Sequence, residues 1–204
     1  MSILATINQP ADLRKHSVAD LQQLAKEIRQ LLLTKVSVTG GHVGPNLGAV
    51  ELTIAWHTVF DSPHDKIVLD VSHQSYTHKI LTGRKLAWLD PDHYHDVSGF
   101  TEPRESEHDF FTIGHTSTSV GLASGLALAR DAAHTNDHIT AMIGDGSLSG
   151  GLAYEALDNA AVLNRQLLIV VNDNQWSIAE NHGGIYQNLA ELRKTHGQSA
   201  NNLF

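Results

Sequence analysis

Ile139-Thr140-Ala141-Met142-Ile143-Gly144-Asp145-Gly146-Ser147 is the stretch on which the fold turns. A short run fit for a buried strand leads straight into a glycine turn with an acid in its middle. Leu152 to Leu163 then reads as a helix. Leu167-Leu168-Ile169-Val170-Val171 is a second apolar run, and it ends in Asn172-Asp173-Asn174. Strand, helix, strand over about 35 residues predicts a βαβ unit. The fold class is therefore α/β, with a mostly parallel sheet flanked by helices.

The elements upstream fit that class. Ser17-Val18-Ala19-Asp20 has the form of a capping box, with Asp in place of Glu or Gln. Leu21, Leu24, Ala25, Ile28, Leu31 and Leu32 follow at helical spacing, which predicts an amphipathic helix over 19–35. A glycine-rich turn, Gly40 to Pro45, precedes a second helix expected from about Leu47 to Val59. Ile67 to Val71 reads as a buried parallel strand. Residues 83–109 are polar and charged and read as a long loop, a length that in compact domains usually signals function or disorder. Phe110 to Ile113 suggests a short strand, and Thr116 to Ala133 a helix whose Gly121 and Gly125 would allow a close neighbour. No repeat and no clear second domain is visible.

Composition narrows the function. Of 204 residues, 41% are apolar, enough for a packed core, and the net charge of −8 leaves no basic stripe for nucleic acid. Cysteine is absent, so no disulfide framework or thiolate metal site exists, which suits a reducing compartment. No run of about 18 apolar residues suggests a membrane span, and the N-terminus does not read as a signal peptide. The 14 histidines contain no H-E-x-x-H zinc signature, and His57, His64, His93, His95 and His134 read as surface residues.

The Gly144-Asp145-Gly146-Ser147 turn lies between a strand end and a helix start. In open α/β sheets that is where ligands bind, and a helix N-terminus there favours phosphate. A dinucleotide fingerprint would need a third glycine where Ser149 stands. Asp145 is the stronger objection, because a carboxylate inside the turn repels a pyrophosphate unless a cation lies between them. Magnesium fits, since it takes hard oxygen ligands and bridges protein groups to phosphates. The Asn172-Asp173-Asn174 tip of the next strand supplies a further ligand, because adjacent parallel strands would set it beside Asp145.

Gly-Asp-Gly followed some thirty residues later by Asn-Asp-Asn resembles the thiamin-diphosphate motif. The wider sequence resembles the 1-deoxy-D-xylulose-5-phosphate synthases of the transketolase-like group, from about residue 19 onward. The resemblance runs through Gly40 to Gly44, Leu47-Gly48, Val50-Glu51-Leu52, Asp70 to Gln74, His78 to Arg84, Glu105 to Asp109 and Gly114 to Ser119. It implies thiamin diphosphate and Mg2+ as cofactors. Asp145 and Asn174 would bind the metal by side chain and Trp176 by its carbonyl, with Gly146 and Ser147 at the diphosphate. His73 and the Gly114-His115-Thr116 turn would line the cofactor, and His42 would face the reacting carbon.

The implied reaction condenses pyruvate with glyceraldehyde 3-phosphate, and the thiazolium would serve as its electron sink. Proton movement at neutral pH suits His42 and His73. The resemblance also implies a cytoplasmic homodimer acting on small molecules. Transketolase-like transfer from a ketose, or a non-catalytic thiamin-fold module, stays open as an alternative. Ser72 stands where the family has glycine, and Pro45-Asn46 where Ser-Gly is common; both departures lie near the presumed reaction centre. Residues 1–204 read as an incomplete diphosphate-binding domain. The pyrimidine-binding and C-terminal domains would be absent, so no turnover is expected from this stretch alone.

Overall fold

The computed structural model describes residues 2–200. Two short 3-10 turns open the chain, and helix α1 (Val18–Thr39) follows. The box at its start is closed on both sides: the Asp20 amide donates to Ser17 Oγ at 3.2 Å, and the Ser17 amide donates to Asp20 Oδ2 at 3.0 Å. The helix outruns the expected residue 35, because Val36 still extends the buried Leu24, Ile28, Leu32 stripe before Gly40 stops it at φ 73°. The second expected helix is two: α2 (Val43–Gly48) and α3 (Val50–Val59), divided where Ala49 leaves helical geometry.

Strand β1 (Lys66–Leu69) leads to α4 (Tyr76–Lys79), a wide turn through Arg84, and α5 (Leu86–Leu89). Helix α6 (Ser119–Ala133) precedes β2 (Ile139–Gly144), α7 (Asp145–Leu148), α8 (Gly151–Leu163) and β3 (Leu168–Asn172). A small hairpin of β4 (Trp176–Ser177) and β5 (Ala179–Glu180) and then α9 (Gly184–Lys194) complete the described residues. The main sheet has the order β1-β2-β3, all parallel, with Leu69 opposite Met142 and Gly144 opposite Asn172. The predicted βαβ unit is therefore present.

Both faces of β1 and β2 are covered, which is why those strands read as apolar runs rather than alternating ones. Ile67, Leu69 and Met142 pack with Trp56 of α3 on one side, while Val68, Ile139 and Ala141 pack with Val120, Ala123 and Ala127 of α6 on the other. Edge strand β3 leaves Leu168 and Val171 exposed. Neither α6 glycine is demanded by packing: a Cβ on Gly121 would sit 3.7 Å from Ala156 Cβ, an ordinary contact, and one on Gly125 would meet open space.

Three expectations need correction. Phe110–Ile113 forms no strand, since the Phe111 and Ile113 carbonyls accept hydroxyls from Thr101 at 2.8 Å and Ser72 at 3.1 Å instead of joining a ladder. The polar 83–109 stretch is not a free loop: Lys79 donates to Ser98 O at 3.0 Å and to Glu105, and Arg84 grips Asp109 at 2.7 and 2.9 Å. Arg84, Glu105 and Asp109 turn inward to a buried network, while Asp92, Asp96, Arg104 and Glu107 stay exposed. His57 belongs to that network and is fully buried, not a surface residue.

The network has a definite polarity. Ionised Asp109 can only accept, so His78 Nε2–H donates to it at 2.9 Å. His78 Nδ1 then accepts from His57 Nε2–H at 2.9 Å, and His57 Nδ1 is left as a buried acceptor without a partner among the described residues. Burial opposes ionisation of Asp109, but the His78 and Arg84 hydrogen bonds prevail and hold its carboxyl well below the usual range. Burial, more than any neighbouring charge, pushes both histidines below the ordinary histidine pKa.

Candidate active site

A cleft of about 650 Å³ opens beyond the carboxyl ends of the three parallel strands. Its walls include Asp70, His73, Thr116, Asp145, Ser147 and Asn174. The site lies there because β-strand tips and the turns after them converge at that edge.

Asp145 sits one residue past β2 and is 4% exposed. Its Oδ1 accepts the Gly146 amide at 3.0 Å, while Oδ2 accepts the Gln175 amide at 2.8 Å and the Asn181 side-chain amide at 2.9 Å. Only N–H donors hold the carboxylate, and no cationic side chain among the described residues pairs with it. The Gly144–Asn172 register sets the two strand tips side by side, as the spacing predicted. Asn174 Oδ1 accepts the Trp176 amide at 3.0 Å, which folds the tip into a tight turn; Gln175 takes φ 70° there. Asp173 Oδ1 accepts the Gln175 amide at 3.0 Å, and its Oδ2 pairs with Arg193. Asn181, from the Glu180-Asn181-His182 segment, was not singled out from sequence; nothing in its neighbours marks it.

Gly146 is required by the close approach of the hairpin. A Cβ there would lie 2.5 Å from Ser177 Oγ and 2.7 Å from Ser177 Cβ. Ser147 lines the cleft, and its carbonyl accepts Ser117 Oγ at 2.7 Å. That bond links α7 to the Gly114–Thr116 turn. Asp70 fixes the same turn, with one carboxylate oxygen on the Ser117 amide at 2.8 Å and the other on the Ser119 amide at 2.9 Å. A carboxylate at the start of α6 also suits the helix dipole. Thr116 lines the cleft. His115 and Gly114 are exposed and lie outside its lining, and His115 Nδ1 is 2.7 Å from the Thr116 carbonyl.

The backbone after β1 is strained. Val71 and Ser72 have φ of 58° and 65°, conformations that a β-branched residue in particular rarely adopts. Ser72 also explains one departure from the family pattern. Its buried hydroxyl donates to Ile113 O and accepts the Thr101 amide at 2.9 Å, so it ties two loops together behind His73.

His73 and His42 meet edge to face with ring centroids 5.4 Å apart, and Phe100 packs on His42 at 5.4 Å. Burial lowers the pKa of His73, and His42 adds a smaller effect in the same direction. His73 Nδ1 is buried without a protein partner among the described residues, on a ring that lines the cleft. His42 stands behind His73, outside the cleft lining proper. Asn46 clamps the pair: its Nδ2 donates at 2.7 Å both to His42 O and to His73 O, and its Oδ1 accepts the Tyr76 amide at 2.9 Å. The second departure from the family pattern is therefore a structural bridge.

A family model described as 1-deoxy-D-xylulose-5-phosphate synthase, for its N-terminal part, matches residues 4–202. The chain belongs to that family. It is 52% identical over 190 residues to the 1-deoxy-D-xylulose-5-phosphate synthase of Symbiobacterium thermophilum, covering 93% of this chain and 29% of the relative. The Syntrophomonas wolfei synthase is 51% identical over 191 residues, 94% of this chain and 30% of the relative. The chain thus spans under a third of the relatives it matches. Transketolase from Leishmania mexicana superposes with a TM-score of 0.63 over 84% of this chain and 31% of that one, at 21% identity. That likeness shows the fold, a thiamin-diphosphate-binding one.

The residues present fit a metal–diphosphate group. Asp145, the Asn174 side chain and the Trp176 carbonyl would offer a metal hard oxygens with a single carboxylate, which leaves charge for a diphosphate to supply. Among the described residues no group of three or more His, Asp or Glu converges as a metal cluster. A set with one acid, one amide and one carbonyl is not of that kind. The unpartnered His73 Nδ1 beside the cleft is a further feature a bound group would use.

Proposed function

We propose that this chain forms the diphosphate-holding part of an enzyme that condenses pyruvate with glyceraldehyde 3-phosphate, giving 1-deoxy-D-xylulose 5-phosphate and CO2. Family membership supports the reaction. The observation that carries the site is the buried Asp145 carboxylate, held by N–H donors alone at a strand tip, with Asn174 on the neighbouring tip. In this reading Asp145, Asn174 and the Trp176 carbonyl hold Mg2+, and Gly146 and Ser147 receive the diphosphate of thiamin diphosphate. When bound, the cofactor supplies an electron sink for decarboxylation. His73 and the Gly114-His115-Thr116 turn flank it, and His42 moves or holds a proton near the substrate. The same reading carries a cytoplasmic homodimer.

The test uses the protein as it occurs in its source. With thiamin diphosphate and Mg2+, carboxyl-labelled pyruvate is expected to release labelled CO2 in step with loss of glyceraldehyde 3-phosphate. Turnover with ketose donors alone, and none with pyruvate, would overturn the reaction.

A further inference from the structure

Tyr76 Oη lies 3.3 Å from the His42 main-chain nitrogen and 3.3 Å from His42 Nδ1. The amide N–H can only donate, so the hydroxyl accepts there. Its own hydrogen then needs an acceptor. Tyr76 is 7% exposed, and His42 Nδ1 is the only other hydrogen-bond partner of Oη among the described residues. If Nδ1 carried a hydrogen, the phenol would accept twice and bury its own hydrogen unpaired, a costly arrangement. The arrangement that satisfies every group has Tyr76 donating to Nδ1.

We propose that Tyr76 is a positioning residue that fixes neutral His42 as its Nε2–H tautomer. His42 then offers a proton, not a lone pair, from its free nitrogen, because Nε2 makes no hydrogen bond to the described residues. Three features hold the phenol in place. Asn46 Oδ1 accepts the Tyr76 amide while Asn46 Nδ2 holds the His42 carbonyl, so backbone and side chain of the two residues are locked together. Trp88 packs against the Tyr76 ring with centroids 5.9 Å apart. Gly41 makes room, since a Cβ there would stand 2.9 Å from Tyr76 Oη and its φ is 138°. The glycine turn before His42 thus has a physical cause in the phenol beside it.

The consequence for proton transfer rests on the proposed role of His42; the tautomer does not, and it is measured without cofactor or substrate. In protein labelled with 15N at the histidine rings, long-range proton–nitrogen correlation spectra above the histidine pKa report the hydrogen's position directly. His42 is expected to show the Nε2–H pattern. Tyr76→Phe is expected to lower the ratio of Nε2–H to Nδ1–H about five-fold, the worth of one neutral hydrogen bond. An Nδ1–H pattern in the parent protein, or an unchanged ratio in Tyr76→Phe, overturns the proposal. Should Tyr76→Phe not fold, 3-fluorotyrosine makes the phenol a stronger donor. The Nδ1 resonance is then expected to move further toward its hydrogen-bonded position, and a fixed resonance overturns the proposal. If the tautomer shifts while pyruvate turnover by the source protein does not, the tautomer assignment stands and the catalytic role of His42 falls.

Discussion

Mild acid should unfold this protein through its buried histidines before its carboxylates titrate. His57 is fully buried and ends a relay whose other members are His78 and ionised Asp109, with Arg84 alongside. A proton added to the pair would sit in the core beside the Arg84 charge. Burial lowers the pKa of His57 and His78, and it pushes nearby His108 down to about 4. The unfolded chain binds these protons near pH 6.5, whereas the fold refuses them. Stability is therefore complete above pH 6.5 and falls as the pH drops. Each such histidine contributes a slope of about 1.4 kcal/mol per pH unit, so the three together give up to about 4 kcal/mol per unit. Against a total of about 5–15 kcal/mol for a domain, a slope of that size acting from about pH 6.5 removes a stability at the lower end by about pH 5. Asp109 adds its own loss only below the ordinary carboxylate range, because its pKa is lowered in the fold. Urea unfolding at half-unit steps from pH 7.5 to 4.5 measures the slope. His57→Gln, which retains a donor for His78 Nδ1, should reduce it by about 1.4 kcal/mol per unit. A flat stability between pH 6.5 and 5, or an unaltered slope in His57→Gln, would refute the reasoning.

Three further outcomes are expected. Asp109→Ala leaves His78 without its acceptor and Arg84 with only Glu105 as counter-charge, and should cost about 3–5 kcal/mol in urea unfolding, whereas an exposed ion pair would cost under about 1. Ser17→Ala removes the cap of α1 and should cost about 1 kcal/mol, read as a lower urea midpoint with an unchanged slope. Gly146→Ala forces the hairpin away from α7 and should destabilise by about 1–3 kcal/mol, with Ser177→Gly in the same chain restoring most of the loss.

The βαβ unit and the Asp145 turn were legible because they are local: an apolar run, a turn that cannot hold a bare pyrophosphate, and a second run at the right spacing. Ser17 and Asp20 were legible for the same reason, since a capping box lies within four residues. What was not legible is long-range. His57 looks like any polar residue near a helix end, and its burial depends on His78 and Asp109, the latter 52 positions away. The Phe110–Ile113 run has strand composition but no partner strand, because side-chain hydroxyls occupy its carbonyls. Asn181 reaches Asp145 only because the β4–β5 hairpin folds back. Asn46 and Ser72 read as departures from a pattern, yet each is a hydrogen-bond bridge beside the histidines.

The most direct test of the central claim is calorimetric titration of the protein with thiamin diphosphate, with and without Mg2+. Binding that requires Mg2+ and is lost in Asp145→Asn, with circular dichroism unchanged, is the expected result. Asn is chosen because its carbonyl can still accept from the Gln175 amide and keep the hairpin closed. Binding that ignores Mg2+, or that survives in Asp145→Asn undiminished, would contradict the metal grip at Asp145 and Asn174.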